Sequence, residues 1–400
     1  MTLIGWELKK MIKRRLTRWV LAAAVGVVLL LALPMAFANY GFGTQVEAPT
    51  LEAAGLIRQM TRDAGAWSGP LTPETLLAAQ TDCRAALAQG GDQSMDTLVQ
   101  GDILRIAEPL FREAGVYTGQ DWPARMTALS AETLAGFYDR RAEQLADRWA
   151  DLPEAQRAAL TALEAKVEKP FTYDWVPGHY QMLLLLNSVM LLVGLLLCAA
   201  VVPLFAGEVR TGVYALSHCA RYGRAKLAAA KVAAALLFTG AAFTGAMALF
   251  VGIQLGAFGV RGLGASLQIE NLFCAVPLTL GQTEALLLLG GLISCWAATA
   301  LTVALSAAFR SEFPALVGVL AFLVALRVLL SSGVVGPVWD PLFQTLPFLT
   351  SAGEFSENTL LVLPGDRAVL APFYRLAVQP LYLVVLLPLA GRRYSNRQVT

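Results

Sequence analysis

The stretch MLLLLNSVMLLVGLLLCAAVVPLF, Met182–Phe205, sets the fold class: 24 residues carry no charged side chain. A helix rises 1.5 Å per residue, so such a run crosses a hydrocarbon layer of about 30 Å. On either side of it, five further runs are read as spans: Trp19–Phe37, Leu227–Gly252, Ala285–Phe309, Phe313–Ser332 and Phe373–Ala390. The last is interrupted by Arg375, Pro380 and Pro388. Backbone polar groups in lipid need partners within the structure, so the spans are helices. The composition agrees: 56% of the 400 residues are apolar and 15% charged, with a mean hydropathy of +0.57, which excludes an ordinary cytosolic enzyme.

The distribution of charge sets the expected orientation. Lys9, Lys10, Lys13, Arg14, Arg15 and Arg18 precede the first span, and Arg210, Arg221, Arg224, Lys226 and Lys231 follow the second. With Arg310, Arg392, Arg393 and Arg397, fifteen basic residues face only Glu7, Glu208 and Glu312 on that side. Lys and Arg accumulate in cytoplasmic segments, which predicts that both termini are cytoplasmic. Residues 38–180, with 20 acidic and 12 basic side chains, then form an extracytoplasmic domain.

That domain reads as helical. Thr72-Pro73-Glu74 and Asp151-Leu152-Pro153-Glu154 are helix starts, and Leu134, Tyr138, Leu145, Trp149 and Leu152 recur near 3.6 residues after Ser130. This spacing predicts one amphipathic helix that leaves Arg140, Arg141 and Asp147 to solvent. The fold class expected is all-α: a polytopic membrane protein of six transmembrane helices with a helical extracytoplasmic domain. Its segments are an amphipathic helix (1–18), span 1 (19–37), the domain (38–180) and spans 2–5 (181–332) with a cytoplasmic loop at 206–226. An extracytoplasmic loop (333–372), span 6 (373–391) and a tail (392–400) complete the chain.

Ala36-Phe37-Ala38 before Asn39 has the form of a signal-peptidase site, which would remove span 1. Against cleavage, Ile4, Leu8, Met11, Ile12, Leu16 and Trp19 share one face and the basic residues the other, as in a helix lying on a membrane surface. An uncleaved signal anchor is expected.

Enzyme motifs are absent. There is no HExxH, no G-x-S-x-G and no G-x-x-x-x-G-K-[ST], so this chain holds no P-loop, and no catalytic, cofactor or metal residues are assigned. His179 and His218 read as surface or interface residues, and Glu284 as solvated. The five cysteines form no CxxC, although a Cys83–Cys274 disulfide is topologically permitted. Arg327, in span 5, has two readings: it snorkels to the headgroups or lines a substrate path. Gly240, Gly245 and Gly252 suit close helix packing.

The loop after span 2 runs Phe205-Ala-Gly-Glu208-Val-Arg210-Thr-Gly212-Val-Tyr-Ala-Leu216-Ser-His-Cys-Ala-Arg221. Glu208, Gly212 and Leu216 are four apart and fall on one face of a helix. This order, with Trp6-Glu7-Leu8-Lys9-Lys10 at the N-terminus, resembles ABC-2-type transporter permeases. Ser217-His218-Cys219-Ala220 stands where that family often has a proline. The resemblance implies an exporter's membrane subunit with cytoplasmic termini, in the bacterial cytoplasmic membrane. It also implies ATP-binding cassette ATPase subunits that carry ATP and Mg, and a second permease copy or homologue. Glu208, Gly212, Leu216 and Arg221 would form the coupling helix that docks on the ATPase, residues 1–18 the elbow helix, and 333–372 an outer gate. Membrane lipids are expected contacts and nucleic acid is not. An alternative is a membrane-anchored sensor or assembly factor whose outer domain binds a ligand or protein.

Overall fold

A computed structural model describes residues 2–37, 40–41, 44–45, 61–88, 99–112, 122–219, 224–332 and 339–396. Among them, six helices are long and apolar enough to cross a membrane: Arg15–Pro34, Gly178–Arg210, Ala225–Phe258, Leu280–Ala308, Glu312–Leu330 and Ala371–Ser395. They are called spans 1–6. Each overlaps a run expected from sequence, and spans 3 and 4 extend beyond it because polar ends such as Gln254 and Gln282 continue the helix. Span 6 is two helices, Ala371–Val378 and Pro380–Ser395, jointed at Gln379.

Spans 2 and 4 are the inner pair, with most of their apolar windows buried; spans 5 and 6 lie at the periphery. Span 2 packs on spans 1, 3 and 4, and span 4 runs along span 6. Small residues permit these approaches. A Cβ at Gly194 would stand 2.2 Å from the Phe348 ring, one at Gly291 2.2 Å from Met190 Sδ, and one at Gly240 2.9 Å from the Trp296 indole nitrogen. Gly245 and Gly252 face open space, so the packing read into all three span-3 glycines holds only for Gly240.

The N-terminal amphipathic segment is shorter than expected. Its helix is Leu3–Lys13, and Arg14 takes an extended conformation before span 1 begins. Thr2 caps it by accepting a hydrogen bond from Gly5 N–H. Glu7 and Met11, one turn apart, are buried where the helix lies on span 3, whereas Ile12, Leu16 and Trp19 are exposed.

The two termini share one side of the molecule, and the helical domain occupies the other. The domain helices are Pro73–Ala88, Val99–Phe111, Trp122–Ala128, Ala131–Ala135, Phe137–Trp149 and Glu154–Glu164. Thr72 caps the first of these and Ser130 the fourth. Gly136 divides the stripe from Ser130 into two helices rather than one. Short antiparallel pairs, Gly69–Pro70 with Thr172–Tyr173 and Leu360–Leu363 with Arg367–Leu370, are the main sheet structure on this side.

Arg141, expected in solvent, is fully buried. It donates to Leu272 O at 2.6 Å and Cys274 O at 2.9 Å, and pairs with Glu164 at 2.5 Å. The reason is a further contributor to the domain layer, residues 259–279 between spans 3 and 4, whose Leu272 and Cys274 carbonyls accept from the buried guanidinium. Burial works against the Glu164 carboxylate, but bonds from Arg141 and Lys169 hold it below its ordinary range. Cys83 and Cys274 are both buried and free.

Candidate functional site

Proline placement begins the site. Pro203 turns the foot of span 2 into a 3-10 turn, Val202–Leu204, which leaves backbone donors without helical partners. Ser306 of span 4 satisfies them. Its hydroxyl donates to Val202 O at 2.6 Å and accepts from the N–H groups of Phe205 and Ala206, each at 3.0 Å. The chain then makes two short helices, Ala206–Arg210 and Val213–Cys219. Gly212, at φ +72°, separates them, a left-handed conformation that glycine adopts without the Cβ clash.

This break changes the expected face. Glu208, Gly212 and Leu216 do not share one helix: Glu208 points inward and is 4% exposed, whereas Leu216 is 77% exposed. Arg221 lies outside the described residues.

Glu208 joins four segments. Its Oε1 accepts from Lys10 Nζ at 2.7 Å and Lys231 Nζ at 2.6 Å, and its Oε2 accepts from Tyr394 Oη at 3.1 Å. Lys231, fully buried at the foot of span 3, also donates to Glu7 Oε2 at 2.9 Å. Two carboxylates and two ammonium groups thus balance charge among the N-terminal helix, the loop, span 3 and the end of span 6. The Phe205 ring, 4.5 Å from Tyr394, covers the cluster. Buried ions are tolerated when paired and hydrogen-bonded in this way, and removing one partner strands the other.

A cleft of about 370 Å³ opens beside the cluster, between Lys10 and Arg14 of the N-terminal segment and Gly207, Arg210 and Glu312. A Cβ at Gly207 would stand 2.7 Å from Glu312 Oε1, so glycine there lets the foot of span 5 close against the loop. Beyond the cleft, Val213 and Leu216, one helical turn apart, present an apolar pair to the outside. The loop therefore has a root locked by ions and an exposed apolar tip.

Arg327 lies far from this site, on the domain side. A π-bulge at Ala321–Ala325 adds a residue to span 5 and rotates the remainder of the span by about 100° relative to a regular helix. Arg327 then donates to Phe348 O at 2.5 Å and Asn187 Oδ1 at 2.9 Å. Asn187 of span 2 in turn donates to Phe348 O and Thr350 O. Phe348, at φ +62°, turns its carbonyl to both side chains. These bonds pin the 339–356 segment to spans 2 and 5. Arg375, which interrupted the sixth run, is likewise buried, bonded to Glu354 and Gln344.

His179 and Glu284 are also buried rather than at the surface. Nδ1 lies 2.6 Å from Glu284 Oε1 and Nε2 2.5 Å from Arg261 O. Each ring nitrogen thus has an oxygen within hydrogen-bonding distance. The pair ties the domain-side ends of spans 2 and 4 to the segment between spans 3 and 4. Among the described residues, no group of three or more His, Cys, Asp and Glu is placed to hold a metal ion.

Sequence reasoning used Lys10 and Lys231 only to orient the chain and gave Tyr394 no role. The available signal was the scarcity of acids: Glu7, Glu208 and Glu312 stand among fifteen bases, and each has a basic partner in the structure. No protein-family model, curated protein or solved structure matches this chain.

Proposed function

We propose that the chain is the membrane-spanning subunit of an ATP-binding cassette exporter of the ABC-2 type. A separate ATPase subunit, holding ATP and Mg, grips the loop after span 2. The observation that carries this reading is the contrast within one loop: an exposed apolar tip, Val213 and Leu216, on a root that Glu208 fuses to the N-terminal helix, span 3 and span 6. A load applied at the tip moves those elements together instead of bending the loop, which is how a rigid-body change of access would start. The basic residues around the root support a cytoplasmic position for this side and an extracytoplasmic one for the domain, in a bacterial cytoplasmic membrane. A second permease copy or homologue completes the pathway. In this reading Gly212 sets the angle of the tip, Glu208 transmits its motion, and Arg327 holds the outer segment that bounds the path.

The test is affinity purification of the full chain from its native membranes, followed by ATPase assay. A co-purifying subunit with a P-loop is expected. Leu216→Arg should abolish its capture, a loss of ~2 kcal/mol or more for a central apolar contact, while leaving the thermal stability of the chain unchanged. Capture that survives Leu216→Arg, or a chain that performs its task with no nucleotide hydrolase, overturns the proposal. An anchored sensor predicts no such partner.

A further inference from the structure

Where the domain meets the ends of spans 2 and 4, a cavity of about 280 Å³ lies against Val99–Phe111 and the segment 269–273. This volume is just below the range of drug-sized ligand sites, roughly 300–1,000 Å³, and suits a smaller molecule. Its walls are largely apolar, with Ile106, Pro109, Val176, Tyr180, Leu272 and Leu280 among them. Tyr180 and Leu280 stand near the starts of spans 2 and 4, so the cavity lies at the level of the membrane boundary on the domain side.

The polar lining is Asp102, Arg105, Glu270 and Asn271, in which acids outnumber bases. Asp102 spends one oxygen on the Tyr173 hydroxyl, which donates at 2.9 Å. The Arg105 guanidinium lies 5.2 Å over the Trp122 ring. Glu270 Oε2 is buried and has no hydrogen-bond partner among the described residues. A buried carboxylate oxygen without a donor is costly, and a ligand N–H would relieve that cost.

We infer that this cavity binds a small amphiphilic cation, a protonated amine on an apolar body, with its ammonium at Glu270 and its body against Ile106, Val176 and Leu280. An anion would leave Glu270 unsatisfied and face two carboxylates. A neutral apolar molecule would fill the walls but supply no donor. The inference concerns binding to this chain alone and does not require an ATPase partner.

The titration of the acids follows from the same geometry. Burial raises the Glu270 carboxyl to about 7, and the Glu357 charge pushes the same way, against a hydrogen bond with Ser356. Burial raises Asp102 to about 6, against the Tyr173 bond and the Arg105 charge. The other titrating group that senses Glu270 is the buried Cys274 thiol. Alkylamines, like lysine, keep their proton up to a pH of about 10. Lowering the pH therefore neutralises the acids but not the ligand, and affinity must fall with pH.

The experiment is saturation-transfer NMR of n-hexylammonium with the full chain in lipid nanodiscs, with empty nanodiscs as the blank. At pH 8 saturable binding is expected, weaker by roughly tenfold or more at pH 5.5 and in Glu270→Gln, as for the loss of a charge-assisted hydrogen bond. Ile106→Trp, which fills the cavity, should abolish it. Hexanol and hexanoate should bind at least about tenfold more weakly than the amine. These two ligand arms and the pH arm use the unaltered chain, so they hold even if a variant misfolds. Binding unaffected by Glu270→Gln in a folded protein, hexanol binding as tightly as the amine, or tighter hexanoate binding that assigns the site to Arg105, would overturn the inference.

Discussion

At Glu208 one carboxylate receives three donors from three other segments, and it is the fully buried Lys231 ammonium that depends most on such pairing. Glu208→Gln would leave the Lys231 ammonium with Glu7 alone in a fully buried site. Loss of one partner of a buried pair costs ~3–5 kcal/mol, so the detergent-solubilised variant should unfold at a markedly lower temperature. Glu208→Leu combined with Lys231→Met and Glu7→Gln removes the buried charges together and should recover part of that loss. A triple variant no more stable than Glu208→Gln would contradict the view that stranded charge causes the effect. Asp102 offers a pH test. Its folded-state value, about 6, lies above its ordinary 3.8, so its contribution is fully present below about pH 4 and is lost as pH rises through 6. Asp102→Asn should match the native protein near pH 4 and be more stable at pH 8, by roughly 3 kcal/mol. Equal stability at pH 8 would refute this. Little of this bonding was legible in the chain, because a residue's sign and position are printed there but its partner is not. Glu208 could be singled out; that it would face inward toward Lys10, Lys231 and Tyr394 depended on contacts up to 198 residues away.

Whole elements were far more legible. A membrane span is a local property, since twenty or so apolar residues suffice to specify it. Six runs therefore located the six spans. The N-caps at Thr72 and Ser130 were equally local. Continuity is what failed: the stripe from Ser130 is cut at Gly136, the N-terminal amphipathic helix stops at Arg14, and the loop face is cut at Gly212. Periodicity counts residues on a face but is blind to one left-handed or extended residue that rotates everything after it. Gly212→Val tests the last of these. A β-branched residue at φ +72° costs about 1–2 kcal/mol. The expected result is a small loss of thermal stability with a large loss of coupled ATPase activity, because the tip moves while the root stays. Unchanged activity would remove Gly212 from the coupling role. The segment between spans 3 and 4 was missed for a related reason. Nothing in 259–279 repeats, and its anchor is Arg141, over a hundred residues earlier in sequence. Arg141→Met should loosen the domain layer and hasten proteolysis within 259–279. Unchanged proteolysis would show that the buried guanidinium is dispensable.

For the molecule as a whole, the six spans place both termini on one side, where the Glu7–Lys231 and Glu208–Tyr394 bonds bring them together, and gather the domain, 259–279 and 339–370 on the other. The proposed exporter needs this polarity: a motor-facing surface at one end, a path-bounding layer at the other, and inner spans 2 and 4 connecting them. Fold class and span number were legible because hydropathy and length are summed over many residues. The internal bracing was not, since His179–Glu284, Arg327–Asn187 and Arg375–Glu354 each join segments that the bundle brings together only after folding. The chain supplies its own probe for the loop after span 2, because among the described cysteines only Cys219, on the loop tip, is exposed. The decisive experiment is labelling of Cys219 by a membrane-impermeant maleimide, with Cys219→Ser as the blank, in intact cells and in inside-out vesicles with and without the co-purifying ATPase. A cytoplasmic loop gripped by an ATPase predicts no labelling in cells, labelling in vesicles, and protection when the ATPase is present. Labelling of Cys219 in intact cells, or vesicle labelling that the ATPase leaves unchanged, would refute it.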